Sequence, residues 1–282
     1  MRRDDACVNQ AMVVQTLTLR AIIEKGMNLL TRSRATLTGA LAVAREGGMR
    51  RAENGILETL GTLELYCGRH SLASQYFEAS VARAEELGSV IYMSSGRISI
   101  AQCHLDLGDH AAALAQVTRG EALARRCESR EHEGRAIMLR ARIEAAAGDA
   151  VAAEARLGRA VAVFESIQAA PFVCLVRAEL ALLYLGTGRL AKAQAVTERI
   201  AAELDAGLST GSIDEPLKPL WACHRIWRAA GDARAGAAID EAHAALQTAA
   251  AHLDEGEMRR GFLETVPLHR AIVADWQASR SA

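Results

Sequence analysis

The stretch "LGDHAAAL", Leu107 to Leu114, ends one apolar segment on a Gly-Asp pair and at once begins an alanine-rich segment. Glycine readily takes the left-handed conformation that ends a helix, which other residues adopt only with strain. Apolar residues in the neighbouring stretch, residues 71–88, recur at the three-to-four spacing of an amphipathic helix. The stretch is therefore predicted to join two helices in a hairpin.

This turn is one copy of a repeat. The first four turn glycines lie forty residues apart, and the fifth follows after forty-three: Gly68, Gly108, Gly148, Gly188 and Gly231. The three extra residues are expected in the loop "DAGLSTGSIDEP" that precedes the last copy. Such a regular interval is typical of a repeat array.

Small residues recur at fixed distances from the turn glycine, as two closely crossing helices require. Seven positions before it stand Gly61, Ala101, Ala141 and Ala181; five positions after it stand Ala73, Ala113, Ala153, Ala193 and, in the fifth copy, Gly236. The predicted fold is an all-α, right-handed superhelical solenoid of antiparallel helix-turn-helix repeats. Residues 48–250 would form the repeats, and residues 251–282 a C-terminal capping helix. Residues 1–47 would form a degenerate N-terminal hairpin, with Asn28 or Gly26 at its turn, since terminal repeats are atypical.

The composition limits the functions that this chain of 282 residues is expected to have. The formal net charge of −1 argues against direct nucleic-acid binding, because phosphate affinity needs a clustered cationic excess. The six cysteines show no C-x-x-C spacing, so we expect free thiols in a reducing, cytoplasmic setting. The sequence has neither a signal-peptide pattern nor an apolar run of about 18 residues, so no membrane association is expected.

The pattern of small residue, turn glycine and alanine resembles the tetratricopeptide repeat. The matching residues are Gly61, Gly68, Ala73 and Phe77 in one copy, and Ala181, Gly188 and Ala193 in another. The resemblance covers about residues 28–250. It departs from the family in its period of 40 instead of 34 residues, and in usually lacking the aromatic residue of the first helix. It implies a non-catalytic scaffold or sensor that binds a protein or peptide in a concave groove.

The C-terminal stretch "RRGFLETVPLHRAIVADW" (259–276) resembles the closing segment of bacterial regulators that fuse a nucleotide cyclase or protein kinase domain to an ATPase and then to such repeats. The matching residues are Phe262, Leu263, Val266, Pro267, His269, Arg270 and Ile272. The resemblance implies a signal-transduction setting with a fused or associated ATPase or cyclase. This chain itself has no G-x-x-x-x-G-K-[ST] phosphate loop, so it is not expected to be an enzyme.

In tetratricopeptide arrays the first helix of each hairpin lines the groove. The matching positions here are Glu58, Thr62 and Tyr66, then Ser95, Gln102 and Asp106, then Arg135, Met138 and Arg142. The arginines suit carboxylates or phosphates, which predicts an acidic peptide, a C-terminal carboxylate or an anionic small molecule as the ligand. The alternative is a solvated face whose arginines pair with Glu131, Glu133 and Glu144.

Other polar residues yield weaker hypotheses. Glu64, His104 and Glu144 occupy one repeat column, but stacked helices lie about 8–10 Å apart and metal bonds are about 2.0–2.3 Å long, so no metal is expected. His224 marks either a ligand pocket or a filled gap in a terminal repeat. We predict no cofactor and no catalytic residue. The alternative function is a small-molecule effector-sensing domain of a transcriptional regulator.

Overall fold

The computed structural model describes residues 2–211, 213–253 and 256–281. Within these ranges the chain is helical, without a β-strand, and it forms consecutive antiparallel hairpins. The helices are α1 (Arg2–Gly26), α2 (Leu30–Glu46), α3 (Arg50–Tyr66), α4 (His70–Leu87), α5 (Val90–Asp106), α6 (His110–Arg126), α7 (Arg130–Ala146), α8 (Ala150–Ser166), α9 (Ala170–Gly186), α10 (Leu190–Asp205), α11 (Lys218–Ala230), α12 (Arg234–Ala251), α13 (Gly256–Arg260) and α14 (Pro267–Arg280), with a π-helical turn at Gly261–Thr265. The predicted all-α class is confirmed. No helix in these ranges is long and apolar enough to span a bilayer.

The Gly-Asp turn both ends one helix and begins the next. Gly108 has a φ of 80°. Its N–H donates to the carbonyl of Leu105 at 2.9 Å, and the N–H of Asp109 donates to the carbonyl of His104 at 2.8 Å. This pair of bonds is the Schellman motif, which satisfies the last carbonyls of a helix. The Asp109 carboxylate then accepts from the N–H of Ala112 at 3.0 Å, which caps the start of α6.

The turns between hairpins are built like the turns within them. From α2 to α9 every helix has 17 or 18 residues. A residue with positive φ recurs every twenty positions, namely Asn28, Gly48, Gly68, Gly88, Gly108, Glu128, Gly148, Gln168 and Gly188. The sequence repeat of forty residues therefore contains two turns of one kind, and Asn28 occupies the left-handed position of the first one.

The small residues lie where neighbouring helices cross. A Cβ atom placed on Gly61 would lie 2.6 Å from the ring of Phe77, so only glycine leaves room for that ring. The alanines of the two predicted columns are fully buried: Ala73, Ala101, Ala113, Ala141, Ala153, Ala181 and Ala193. Gly236 is exposed, and it differs in this respect from the alanines of the earlier copies. The last hairpin thus departs from the packing of the others.

The chain divides into two compact units. Unit 1 comprises residues 1–127 and 249–266, and therefore α1 to α6 together with α13 and the π-helical turn. Within it, Thr265 Oγ1 donates to the carbonyl of Gly68 at 2.9 Å, across 197 positions of sequence. The Phe262 ring lies 5.4 Å from the Tyr66 ring. The segment after α12 thus covers the turn between α3 and α4.

Unit 2 comprises residues 128–248 and 267–282, which contain α7 to α11, most of α12, and α14. Two tryptophans attach α14 to the last hairpin. Trp221 Nε1 donates to Asp275 at 2.8 Å, and Trp276 Nε1 donates to Asp240 at 3.0 Å. The region predicted as one capping helix, residues 251–282, therefore contains two helices and a π-helical turn that belong to different units.

Candidate functional site

The irregular segment at residues 206–217, between α10 and α11, interrupts the repeat of unit 2. We call it the SIDE loop, after its residues 212–215. The segment is long for two reasons. The sequence has its predicted three-residue insertion here, and α11 has only 13 residues. Thr210 Oγ1 donates to the carbonyl of Pro216 at 2.9 Å, and the N–H of Ile213 donates to the carbonyl of Thr210 at 3.2 Å. These bonds close the loop on itself.

One apolar residue of the SIDE loop packs into a buried cluster formed by α7, α8 and α9. Ile213 is only 5% exposed. It belongs to one buried cluster with Met138 of α7 and with Val173 and Leu175 of α9. Because every other residue of 209–216 is polar, glycine or proline, Ile213 is the residue through which this segment contributes to the core.

The residues after Ile213 form ion pairs with the same two helices. Arg135 Nη2 lies 2.8 Å from Asp214 Oδ2. Arg142 pairs with Glu215 of the loop and, at 2.6 Å, with Glu179 of α9. The Nζ atom of Lys218 joins the same group, at 2.6 Å from Glu179 and 3.0 Å from Glu215. The result is a network of two cations and two carboxylates beside a separate ion pair.

The carboxylates of this network are held ionised. Burial raises the pKa of Glu215, but the charges of Arg142 and Lys218 outweigh burial and lower that pKa to about 2. The pKa of Glu179 is lowered for the same reason, against burial and the repulsion of Glu215. The network is therefore electrically balanced at neutral pH, and removal of one carboxylate would leave a cation with too few partners.

We call this surface the α7–α9 face and define it by Arg135, Met138 and Arg142 of α7 and Leu175 and Glu179 of α9. The structure brings together the three predicted residues of α7, but the surface is not open. Met138 lies in the same buried cluster as Ile213, and both arginines bind loop carboxylates.

Two of the glutamates named in the alternative to a binding groove pair with other arginines. Glu133 pairs with Arg130 at 2.6 Å, and Glu144 pairs with Arg156 at 2.5 Å. Arg135 pairs with Asp214, and Arg142 pairs with Glu215 and Glu179. The sequence signal that marks these partners is the Asp-Glu pair beside a lone isoleucine in a polar loop.

Four of the predicted groove residues of unit 1 form two hydrogen-bonded pairs, each within one helix. Thr62 donates to the carbonyl of Glu58 at 3.0 Å, and Gln102 donates to Asp106 at 2.7 Å. Ser95 is buried. Burial, reinforced by Cys67, raises the pKa of Tyr66 to about 12 beneath the Phe262 ring. The role of all nine predicted groove residues in binding stays a prediction.

The column of Glu64, His104 and Glu144 makes separate contacts in the structure. Glu64 lies 3.3 Å from Arg69 and 3.4 Å from Arg34, while His104 faces Asp109 at 4.0 Å. Among the residues described, no three His, Cys, Asp or Glu side chains lie close enough to hold a metal ion.

The buried histidines and thiols have structural surroundings. His224 is buried, and its Nδ1 lies 2.9 Å from the carbonyl of Ala235. His269 is buried in the closing segment. Burial is the main cause that raises the pKa to about 12 for the thiols of Cys67, Cys103, Cys174 and Cys223. These four thiols are therefore protonated at neutral pH, and the side chain of Cys7 lies outside the described residues.

No protein-family model and no curated protein matches this chain. Several solved structures do match it. A Rap protein complexed with competence and sporulation factor superposes with a TM-score of 0.63 at 15% identity, over 93% of this chain and 75% of that chain. NprR in complex with its cognate peptide NprX superposes with a TM-score of 0.56 at 13% identity, over 94% of this chain and 77% of that chain.

A third similar structure is a signal transduction ATPase with numerous domains from Pyrococcus horikoshii, which has a tetratricopeptide repeat sensor. Its TM-score is 0.58 at 13% identity, over 94% of this chain but only 43% of that chain. At such identities the likeness concerns the fold. The predicted solenoid of tetratricopeptide-like hairpins is confirmed.

Proposed function

We propose that this chain is a non-catalytic binding module that holds a peptide segment of a partner protein on its α7–α9 face. The observation that carries the proposal is the SIDE loop itself. An irregular segment already lies on this face, with one aliphatic side chain buried and two carboxylates bound by cations. A surface that binds such a segment within the chain has the chemistry to bind one from another protein.

The similar structures support a peptide ligand. The Rap protein was solved with competence and sporulation factor, and NprR with its cognate peptide. We extend the proposal to a bacterial signalling setting in the cytoplasm, in which a fused or associated ATPase or cyclase would receive the signal. The support for this setting is the tetratricopeptide repeat sensor of the Pyrococcus ATPase and the resemblance of residues 259–276 to the closing segment of bacterial regulators.

A cleft in unit 1 supports the second candidate function, the sensing of a small effector. It has a volume of about 660 Å³ and lies along α1 and α3. Its lining is largely apolar, with Val14, Leu19, Ile56 and Tyr92 beside Arg50 and Arg51. This size and this mixture are usual for small-molecule sites.

Selection from a random peptide library tests the peptide proposal. Peptides displayed on phage are selected on the full chain and then measured by fluorescence anisotropy. We expect the selected peptides to lose binding to the double variant Arg135→Glu/Arg142→Glu. The exposed Arg159 of α8 offers a control, Arg159→Glu, that should keep binding.

Circular dichroism shows whether both variants keep their helices. Selected peptides that bind the folded double variant as tightly as the control would overturn the proposal, as would a failure to select any peptide.

A further inference from the structure

We propose that Ile213, Asp214 and Glu215 are an internal occupant of the α7–α9 face, and that the partner segment that displaces them has the same chemistry: a branched aliphatic residue followed by two carboxylates. This inference rests on the proposed function. It adds the partner class and a regulation of that site by the chain itself.

Three consecutive residues match three features of the face in order. Ile213 enters the buried cluster of α7 and α9, Asp214 meets Arg135, and Glu215 meets Arg142 and Lys218. Consecutive residues of an irregular segment point in different directions, so one binding register satisfies all three features at once. A segment with another order of aliphatic and acidic residues would leave one feature without a partner.

The charges of the face require an acidic occupant. When the SIDE loop leaves, Arg135 loses its pair with Asp214, and Arg142 and Lys218 lose their pairs with Glu215. Arg142 and Lys218 are only 11% and 12% exposed, so water compensates them poorly. A partner with two carboxylates restores the balance that Asp214 and Glu215 provide, and a neutral partner does not.

The attachment of the loop suits an exchangeable occupant. Its two carboxylates that pair with cations lie at partly exposed side chains, since Asp214 is 45% and Glu215 is 23% exposed. A partner replaces these pairs with equivalent ones, so the exchange costs little electrostatic energy. Ile213, which is buried, is matched by the aliphatic residue of the partner.

The inference predicts that the loop weakens binding of the partner. A ligand binds only the fraction of molecules whose face is open, and its apparent affinity falls by that fraction. A short tether gives the internal occupant an effective concentration in the millimolar range. A face that the loop occupies nine-tenths of the time therefore binds a partner about tenfold more weakly than a face without the loop.

The test uses a fluorescein-labelled peptide with the sequence of residues 208–217, LSTGSIDEPL, and anisotropy as the readout. The chain is compared with a loop-disabled triple variant, Ile213→Ser/Asp214→Asn/Glu215→Gln. We expect the peptide to bind the triple variant at least about tenfold more tightly than the unmodified chain. The exposed Ser209 provides a matched control, Ser209→Ala, that should bind like the unmodified chain.

The same three changes made in the peptide should abolish its binding. If the peptide does not bind the folded triple variant while library-selected peptides bind both chains equally, the internal-occupant inference is overturned and the proposed function stands. If no peptide depends on Arg135 and Arg142, the proposed function fails as well.

If the triple variant does not fold, hydrogen exchange of the unmodified chain tests the inference. Excess peptide should accelerate exchange of the Ile213 and Lys218 amides, whose bonds to Thr210 and Glu215 are formed in the docked loop. Unchanged exchange at saturating peptide would contradict displacement of the loop.

Discussion

Arg135 of α7 and Asp214 of the SIDE loop are 79 positions apart in the sequence, and their side chains meet at 2.8 Å. The pair places an acidic loop on the helix face that the repeat pattern predicts as a groove. With Ile213 and Glu215 on either side of Asp214, the contact is a three-residue interaction. The proposed binding chemistry of the α7–α9 face is therefore drawn from a contact that the chain makes with itself.

Ile213→Ala should lower the free energy of unfolding of the chain by about 2 kcal/mol. Truncating a buried isoleucine costs about 2–5 kcal/mol, and the low end applies because a loop can adjust around the missing atoms. Urea denaturation measures the change. The control is Val151→Ala on α8, whose side chain is 83% exposed and should contribute little. Equal stabilities of the two variants would show that Ile213 is not a core residue.

Acid should release the SIDE loop. The pKa of Glu215 is about 2 in the folded chain against an ordinary value of 4.5. The lowered pKa means that the stability contributed by Glu215 is complete above pH 4.5 and is lost as the pH falls towards 2. The protection factors of residues 213–218, which correct the exchange rates for their intrinsic pH dependence, should therefore fall between pH 4.5 and pH 2.

Glu215→Gln tests the origin of that pH dependence. The variant should exchange faster than the unmodified chain at pH 6 and show a smaller further change in acid. The exposed Glu131 gives the control, Glu131→Gln, with a profile like that of the unmodified chain. An unaltered profile in Glu215→Gln would contradict the role assigned to this carboxylate.

Gly68→Ala should destabilise the chain more than Gly108→Ala. Both glycines have positive φ, so alanine costs each about 1–2 kcal/mol. At Gly68 the new Cβ would also lie 2.2 Å from Thr265 Oγ1 and 2.7 Å from the carbonyl of Gly261, whereas at Gly108 it meets nothing within 4 Å. The extra cost should be about 1–3 kcal/mol by urea denaturation. Equal costs would mean that residues 256–266 do not pack on the α3–α4 turn.

Gln168→Gly should stabilise the chain by about 0.5 kcal/mol. Gln168 has a φ of 55°, which costs a side-chain-bearing residue about 1–2 kcal/mol, and the greater freedom of glycine in the unfolded chain offsets part of the gain. The control is Ala155→Gly within α8, which should cost about 1 kcal/mol. Thermal denaturation of both variants measures the two changes in stability, which should have opposite signs. A loss of stability in Gln168→Gly would contradict the account.

The sequence predicts the fold well because its main signal is local. Gly108 ends one helix and Asp109 begins the next, and a turn glycine recurs at an interval of forty residues. The local sequence does not predict the turns at Glu128 and Gln168, because packing of the flanking helices imposes positive φ on residues that do not favour it.

The site is less predictable because its contacts are distant in sequence. The helical spacing of Arg135, Met138 and Arg142 predicts that they share a face. It carries no information on Asp214 and Glu215, whose pairing with that face depends on the shortening of α11 and on the path of an irregular loop. Likewise, the contact of Phe262 with Tyr66 joins positions that no local pattern relates.

A charge-reversal cycle between chain and peptide tests the central claim most directly. In the loop-disabled chain, Arg135→Glu should weaken the peptide LSTGSIDEPL at least about tenfold, because the peptide carboxylate equivalent to Asp214 then faces a like charge. A peptide with arginine at that position should bind the Arg135→Glu chain more tightly than the unreversed peptide does, whereas Arg159→Glu should change neither affinity. Loss of binding followed by its recovery is the predicted result. Equal affinities of both peptides for the Arg135→Glu chain would contradict the assignment of the α7–α9 face as a site for acidic peptides.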